Sequence, residues 1–255
     1  MPAVVLVHGN PETDAIWGPL AAELERRGVE RIVRLSPPGF GVGTPAGWGA
    51  TQSDYREWLI SALEQFDEAP HVLGHDWGAG HVYGAVAHRP DLFRSWAADC
   101  GGLVHPDYEW HDAARGWQTP VVGEEMVAGL VALSPSDRAA AFAGLGMTAA
   151  IAASVSAGVD EEMGRCILSL YRSASQPAMR ELGEQLAAGT AARNRVTRGA
   201  VVVPTADAYP GTPEMAREVA ALTGARTVEL KDRGHWWMIE DPSEAADRLL
   251  DFWRS

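Results

Sequence analysis

Residues 71–78, His71-Val72-Leu73-Gly74-His75-Asp76-Trp77-Gly78, constrain this chain more than any other stretch. A short apolar run leads into a residue bracketed by glycines, and a helix-like stretch follows at 79–88. A strand that turns sharply into a helix needs glycine where the two backbones approach, and it exposes the central side chain at the tip. The frame is that of a nucleophile elbow, G-x-Nuc-x-G, and Asp76 occupies the slot that serine usually fills. A serine alkoxide suits acyl transfer, whereas a carboxylate makes a poor and unstable product there. It is suited to displacing a leaving group from an sp³ carbon. The product is an alkyl–enzyme ester, which water must then hydrolyse. The N-terminus of the following helix is expected to keep Asp76 ionised.

The rest of the chain alternates in a way that fits this elbow. Residues 4–7 read as a buried strand, followed by the loop His8-Gly9-Asn10-Pro11 and an amphipathic helix up to Arg27. Residues 31–35 read as a strand ending in an irregular Pro/Gly loop at 36–43, and 53–66 as a helix. The elbow strand at 71–73, the helix at 77–88 and a strand at 95–100 come next. This alternation predicts an α/β fold with a mostly parallel sheet and helices on both faces. It stops between about 103 and 198, where an Ala-, Gly- and Met-rich stretch reads as several short helices. The expected organisation is a core of residues 1–102 and 199–255, with 103–198 inserted as a helical lid, or cap; a separate helical domain is the alternative. The sheet is expected to resume at 200–203, followed by a helix at 213–222, a strand at 226–230 and a closing helix at 242–253.

Bulk properties narrow the partners. The chain has 255 residues, 46% of them hydrophobic, enough for one α/β domain with an insertion. Net charge is −13 without a basic run, so nucleic acid and anionic membranes are poor partners. Two cysteines, Cys100 and Cys166, suit a reduced, cytoplasmic protein. Residues 1–7 carry no charged leader and read as a strand rather than a signal peptide. No apolar run is long enough to span a bilayer.

Two further residues suit the chemistry of Asp76. His235, after a strand and preceded by Gly234, is placed to activate the hydrolytic water. Asp207, past the strand at 200–203, is placed to orient His235, and the order Asp76, Asp207, His235 is nucleophile, acid, histidine. Asp99, at the end of the preceding strand, is its rival. The backbone N–H of Trp77 and the loop at Asn10 are the expected oxyanion donors. Their side chains, an indole N–H and an amide, add donors that suit a halide leaving group. The other histidines read mostly as packed or surface residues. Trp17, Trp48, Trp110, Trp117 and Trp236 suggest an apolar aromatic pocket, with several of them simply in the core.

With these residues in view, Gly74-His75-Asp76-Trp77-Gly78, His8-Gly9-Asn10-Pro11 and Gly234-His235-Trp236 together resemble the epoxide hydrolase and haloalkane dehalogenase branch of the α/β-hydrolases. The resemblance implies an α/β-hydrolase fold and a two-step path in which Asp76 attacks carbon and His235 activates water. Its halves diverge. His-Gly-Asn-Pro with Trp77 resembles the dehalogenases and implies that Asn10 and Trp77 form a halide-binding pair. Pro11-Glu12 and the stretch 117–124 resemble epoxide hydrolases, whose lid tyrosines protonate the epoxide oxygen. Tyr171 sits where one such tyrosine is expected, and it is also open to a packing role beside Leu168 and Leu170. The second would fall near Trp117, where only Gly116 and Trp117 stand; Tyr108 is out of register. The run Trp236-Trp237-Met238 lacks a glutamine that both groups often carry. Trp77 stands where fluoroacetate dehalogenases have arginine, which disfavours that reading. The hairpin that usually precedes the first strand is absent, so a shortened or partner-covered sheet edge is expected. Epoxide hydrolysis of a small apolar substrate is the leading expectation and haloalkane dehalogenation the alternative. A catalytically idle binding protein is a third, against which the Asp76, Asp207 and His235 set argues. No cofactor is implied, because no ligand cluster has metal spacing.

Overall fold

A computed structural model describes residues 1–192 and 198–255. Strand β1 (Val4–Val7) is buried along its length, as a continuous β-branched run in a parallel sheet should be. A 3-10 turn (Asp14–Trp17), capped by Thr13, then leads into α1 (Gly18–Arg26). The single helix expected up to Arg27 is thus split, with Pro19 in the first turn of its second part, where a missing N–H costs nothing. Strand β2 (Ile32–Leu35) and α2 (Gln52–Leu63) follow, the latter opened by a Thr51–Asp54 capping box. Strand β3 (His71–Gly74) runs through the elbow into α3 (Trp77–His88), and β4 (Ser95–Ala98) comes next. The strand expected to reach residue 100 ends two residues earlier, because Cys100 adopts a left-handed conformation (φ 50°) and starts a turn.

Helices alone fill the described part of the next stretch: α4 (Asp112–Gln118), α5 (Val122–Ala132), α6 (Pro135–Gly144), α7 (Ala149–Ala157), α8 (Glu161–Ser173) and α9 (Ala178–Ala192). Residues 193–197, part of the stretch assigned to the lid, lie outside the described residues. Strand β5 (Gly199–Pro204), α10 (Pro213–Thr223), β6 (Arg226–Leu230), the short α11 (Trp237–Glu240) and α12 (Pro242–Arg254) complete the chain.

The strands form one sheet in the order β2-β1-β3-β4-β5-β6, with every neighbouring pair parallel. Strand β2 forms one edge, and its residues are mostly only half-buried. A parallel sheet brings the carboxyl ends of its strands together, so the loops after β1, β3, β4, β5 and β6 converge at one end. Helix α8 faces that end. Its buried positions Met163, Ile167, Leu170 and Tyr171 recur at helical spacing, Asp160 caps its start at the Met163 N–H (2.8 Å), and Arg172 lies in its last turn. No described helix is long and apolar enough to cross a membrane.

Candidate active site

Asp76 sits at the elbow with φ 50° and ψ −121°, a conformation costly for a non-glycine residue, on the order of 1–3 kcal/mol. Glycines on both sides make the turn possible. A Cβ at Gly74 would meet the Gly78 carbonyl oxygen, and one at Gly78 would run into the Val7 carbonyl of β1. His75 and Trp77 are buried, whereas Asp76 between them keeps partial exposure. Two groups grip it: its backbone N–H donates to Asp99 Oδ1 (2.9 Å), and the Asn10 backbone N–H donates to its Oδ2 (2.8 Å). A Cβ at Gly9 would collide with that same carboxylate, which explains glycine there. The helix N-terminus does not win the electrostatics as the sequence suggests. Desolvation pushes the Asp76 carboxyl up to about 6, against the opposing pull of His235, His75 and the Asn10 N–H.

His235 lies in the loop after β6, with its Nδ1–H donating to Asp207 Oδ2 at 2.8 Å. The other carboxylate oxygen, Oδ1, accepts from the Tyr209 N–H (3.0 Å), so Asp207 is held at both ends. Burial disfavours the imidazolium of His235, but the Asp207 carboxylate outweighs it and raises the pKa above 6.5. Asp99 does not compete for His235. It pairs with His75, the residue before Asp76, through His75 Nδ1 (2.5 Å).

This pairing belongs to a network that the sequence reading passed over. His75 is fully buried between two carboxylates, Asp99 and Glu12, the latter 3.3 Å from its Nε2. Burial opposes its charge, yet the two acids raise its pKa well above 6.5 and favour the imidazolium. The same charge, against burial, holds Glu12 at about 2 and lowers Asp99. Each acid is satisfied further by an indole: Trp236 donates to Glu12 Oε1 (2.5 Å) and Trp237 to Asp99 Oδ2 (2.7 Å). The Gly9 N–H donates to Glu12 Oε2 (3.0 Å). The His75 and His235 rings stand 4.6 Å apart and tilted, so His75 adjoins the proposed base. The available signal was positional: Glu12, His75 and Asp99 all sit at the carboxyl ends of adjacent strands, and two tryptophans follow His235.

Asn10, Trp77, Tyr171 and Trp117 also come together. The Asn10 amide donates to the Tyr171 hydroxyl (3.2 Å), and the Trp77 side chain bears on the same hydroxyl. Tyr171 is buried, its ring edge-on to Trp77 (5.3 Å), tilted on Trp117 (4.7 Å) and 5.7 Å from Trp110. Burial and the Asp76 charge push its pKa far up, whereas Trp77 and Asn10 favour the phenolate. The Tyr108 hydroxyl donates to the Tyr209 carbonyl (3.1 Å), and Trp110 stacks on Trp77 (6.0 Å), a wall residue the sequence placed only in a general aromatic pocket. Among the described residues, two trios have donor atoms close enough for one metal ion: Glu12, His75 and His235, and Cys100, Asp207 and His235. Neither fits one well. The Nδ1 of His75 is engaged by Asp99 and its raised pKa opposes the neutral form a metal needs, and the Nδ1 of His235 is committed to Asp207.

The sequence matches the family model described as the alpha/beta hydrolase family over residues 4–248. No curated protein sequence matches significantly. Among solved structures, similarity extends to a putative ancestral haloalkane dehalogenase (20% identity, 100% of this chain and 93% of that chain, TM-score 0.73). Haloalkane dehalogenase DbeA from Bradyrhizobium elkani is also similar (22%, 99% and 89%, TM-score 0.68). So is an E-2-(acetamidomethylene)succinate hydrolase (17%, 100% and 92%, TM-score 0.71). At these identities the likeness is one of fold.

Proposed function

Because the chain belongs to the alpha/beta hydrolase family, we propose that it hydrolyses a small apolar epoxide through an ester on Asp76. Helices α4 to α9 act as the lid over that site. In the first step an Asp76 oxygen attacks an epoxide carbon, the ring C–O bond breaks, and Tyr171 gives its proton to the leaving oxygen. In the second, His235 takes a proton from water as the water attacks the ester carbonyl carbon, held by Asp207 in the orientation this needs. The diol leaves, and the proton on His235 returns the phenol to its neutral form.

One observation carries this reading: the Asn10 amide donates to the Tyr171 hydroxyl at 3.2 Å. The phenol oxygen accepts there, and its own proton is left for a substrate oxygen. The same amide, with Trp77, stabilises the phenolate as the proton leaves. Formation of the ester also removes the Asp76 charge, which holds the Tyr171 proton most tightly after burial itself. Tyr171 therefore becomes a stronger acid as the ring opens. Trp117, in place of a second tyrosine, contributes only a wall.

Haloalkane dehalogenation is the second reading. The convergence of Asn10 and Trp77 on one point favours it, with a halide in place of the phenol oxygen. A paired assay separates the two: diol from an epoxide panel, halide from a bromoalkane panel. Diol without halide is expected, and halide without diol reverses the ranking. Tyr171→Phe should slow ester formation from an epoxide by about 10²-fold, the lower range for a lost general acid. Ester hydrolysis should hardly change. If both steps are unaffected, Tyr171 is a packing residue.

The pH dependence should differ between the steps. Attack needs the Asp76 carboxylate, so ester formation should fall as pH drops through about 6. Water activation needs neutral His235, whose pKa is raised, so ester hydrolysis should rise with pH through a value above 6.5, less the part due to the Asp76 charge lost in the ester. Single-turnover rates from pH 5 to 9 check this; a hydrolysis step flat across that range rules out His235 as the base.

A further inference from the structure

Folding gathers cations that the sequence scatters. His71 opens β3, Arg94 and Arg198 immediately precede β4 and β5, and Arg254 closes α12. In a parallel sheet the amino ends of the strands share one end, so these residues meet at the end opposite Asp76. There they line a recess of about 400 Å³ with Trp253.

No acidic side chain lines this recess; the two end residues, Met1 and Ser255, complete its rim. Elsewhere arginines meet carboxylates: Arg89 with Glu64 and Asp91, Arg217 with Glu214 and Glu229, Arg233 with Asp241 and Glu244. Among the described residues Arg94, Arg198 and Arg254 form no ion pair, in a chain with net charge −13. Repulsion is evident instead. Burial, then Arg94 and Arg226, lower the Arg198 pKa; burial, then Arg198 and Arg94, lower that of His71 to about 4. Bonds to backbone carbonyls at the ends of α12 and α1 use little of this capacity. Arg198 gives one N–H to the Trp253 carbonyl (2.6 Å) and Arg254 one to that of Arg27 (3.4 Å), while a guanidinium has five.

His71 makes the recess more than a patch of surface arginines. It is 3% exposed, its Nδ1 is bonded to Ser95 Oγ (2.7 Å), and its ring lies 5.7 Å from that of Trp253. Among the described residues its Nε2 has no hydrogen-bond partner, and the residue lines the recess. In the tautomer whose Nδ1 accepts from the serine hydroxyl, Nε2 carries the proton and is a donor; an oxyanion in the recess selects that tautomer. We infer that this recess is a binding site for a small tetrahedral oxyanion of the sulfate or phosphate type, held by the Arg94 and Arg198 guanidinium groups over His71. Forked donors that meet two oxygens at once suit such an ion better than a point charge does.

Sulfate is the probe of choice, because it stays dianionic across neutral pH. Titrated at constant ionic strength against chloride, it should shift the His71 ring and Arg94 amide resonances along one saturable curve. Arg94→Gln should weaken that binding about tenfold, the loss of one charge-assisted hydrogen bond. Arg94 is exposed and its side chain has no hydrogen-bond or ion-pair partner among the described residues, so this variant should unfold like the parent. Arg198→Gln should weaken binding at least as much, at some cost to α12. Shifts that never saturate and that chloride reproduces overturn the site, as does saturable binding unchanged in Arg94→Gln. The readout is binding, not turnover, so it is independent of the reaction proposed for Asp76.

Discussion

His235→Gln is expected to leave ester formation running and to slow ester hydrolysis by about 10²–10⁴-fold, the range that a positioned general base contributes. Glutamine approximates the size of the imidazole and can still donate to Asp207 Oδ2, now 2.8 Å from His235 Nδ1, but it has no basic nitrogen to take a proton from water. The enzyme should therefore stop after one turnover with Asp76 alkylated. Mass spectrometry should find the peptide containing Asp76 heavier by the mass of one substrate molecule, in the mutant and not in the parent. A mutant that turns over normally without adduct would remove His235 from the mechanism. The parent supplies a companion test. In heavy-oxygen water, repeated turnover should carry label into the Asp76 carboxylate, because water attacks the ester at that carbon. An unlabelled Asp76 would sink the ester path.

The second large effect should come from beneath the site. Asp99→Ala removes one of the two acids that hold the His75 imidazolium and leaves three donors without their acceptor: His75 Nδ1–H, the Trp237 indole and the Asp76 backbone N–H. Breaking a buried charge pair from one side costs about 3–5 kcal/mol, more than most single substitutions. In a domain of this size each kcal/mol moves the midpoint by roughly 2–4 °C, so a fall of roughly 6–20 °C is expected. Urea unfolding provides the energy directly, and a loss below about 1 kcal/mol would mean that the network is not the ion pair described. Asp99→Asn, which keeps one acceptor, should lose less.

The elbow was legible because its signals are local: glycines that only a tight turn requires, a strand before and a helix after. His235 and Asp207 were legible for a weaker reason, their order along the chain. That order could not separate Asp207 from Asp99, since both follow a strand. The separation depends on which neighbours the sheet supplies. Strand β4 lies beside β3, so Asp99 meets His75; β5 lies beside β6, so Asp207 meets the loop that carries His235. The pairing of His75 with two acids was not legible at all. A histidine next to a nucleophile reads as a packing residue until Glu12 and Asp99, 63 residues back and 24 forward, are known to flank it. The meeting of Asn10 with Tyr171 is likewise a long-range fact, 161 residues apart. The convergence of His71, Arg94 and Arg198 was hidden in the same way, because these residues are far apart along the chain and meet only across the sheet.

The elbow itself has a consequence for how this scaffold can change. Its shape rests on Gly74 and Gly78 and on the bond from the Asp76 backbone N–H to Asp99. None of these involves the side chain at position 76. The scaffold therefore specifies an address and leaves the reagent free. A different short nucleophile installed there would inherit the same backbone trajectory and the same neighbouring imidazole, and only the chemistry delivered at that point would change.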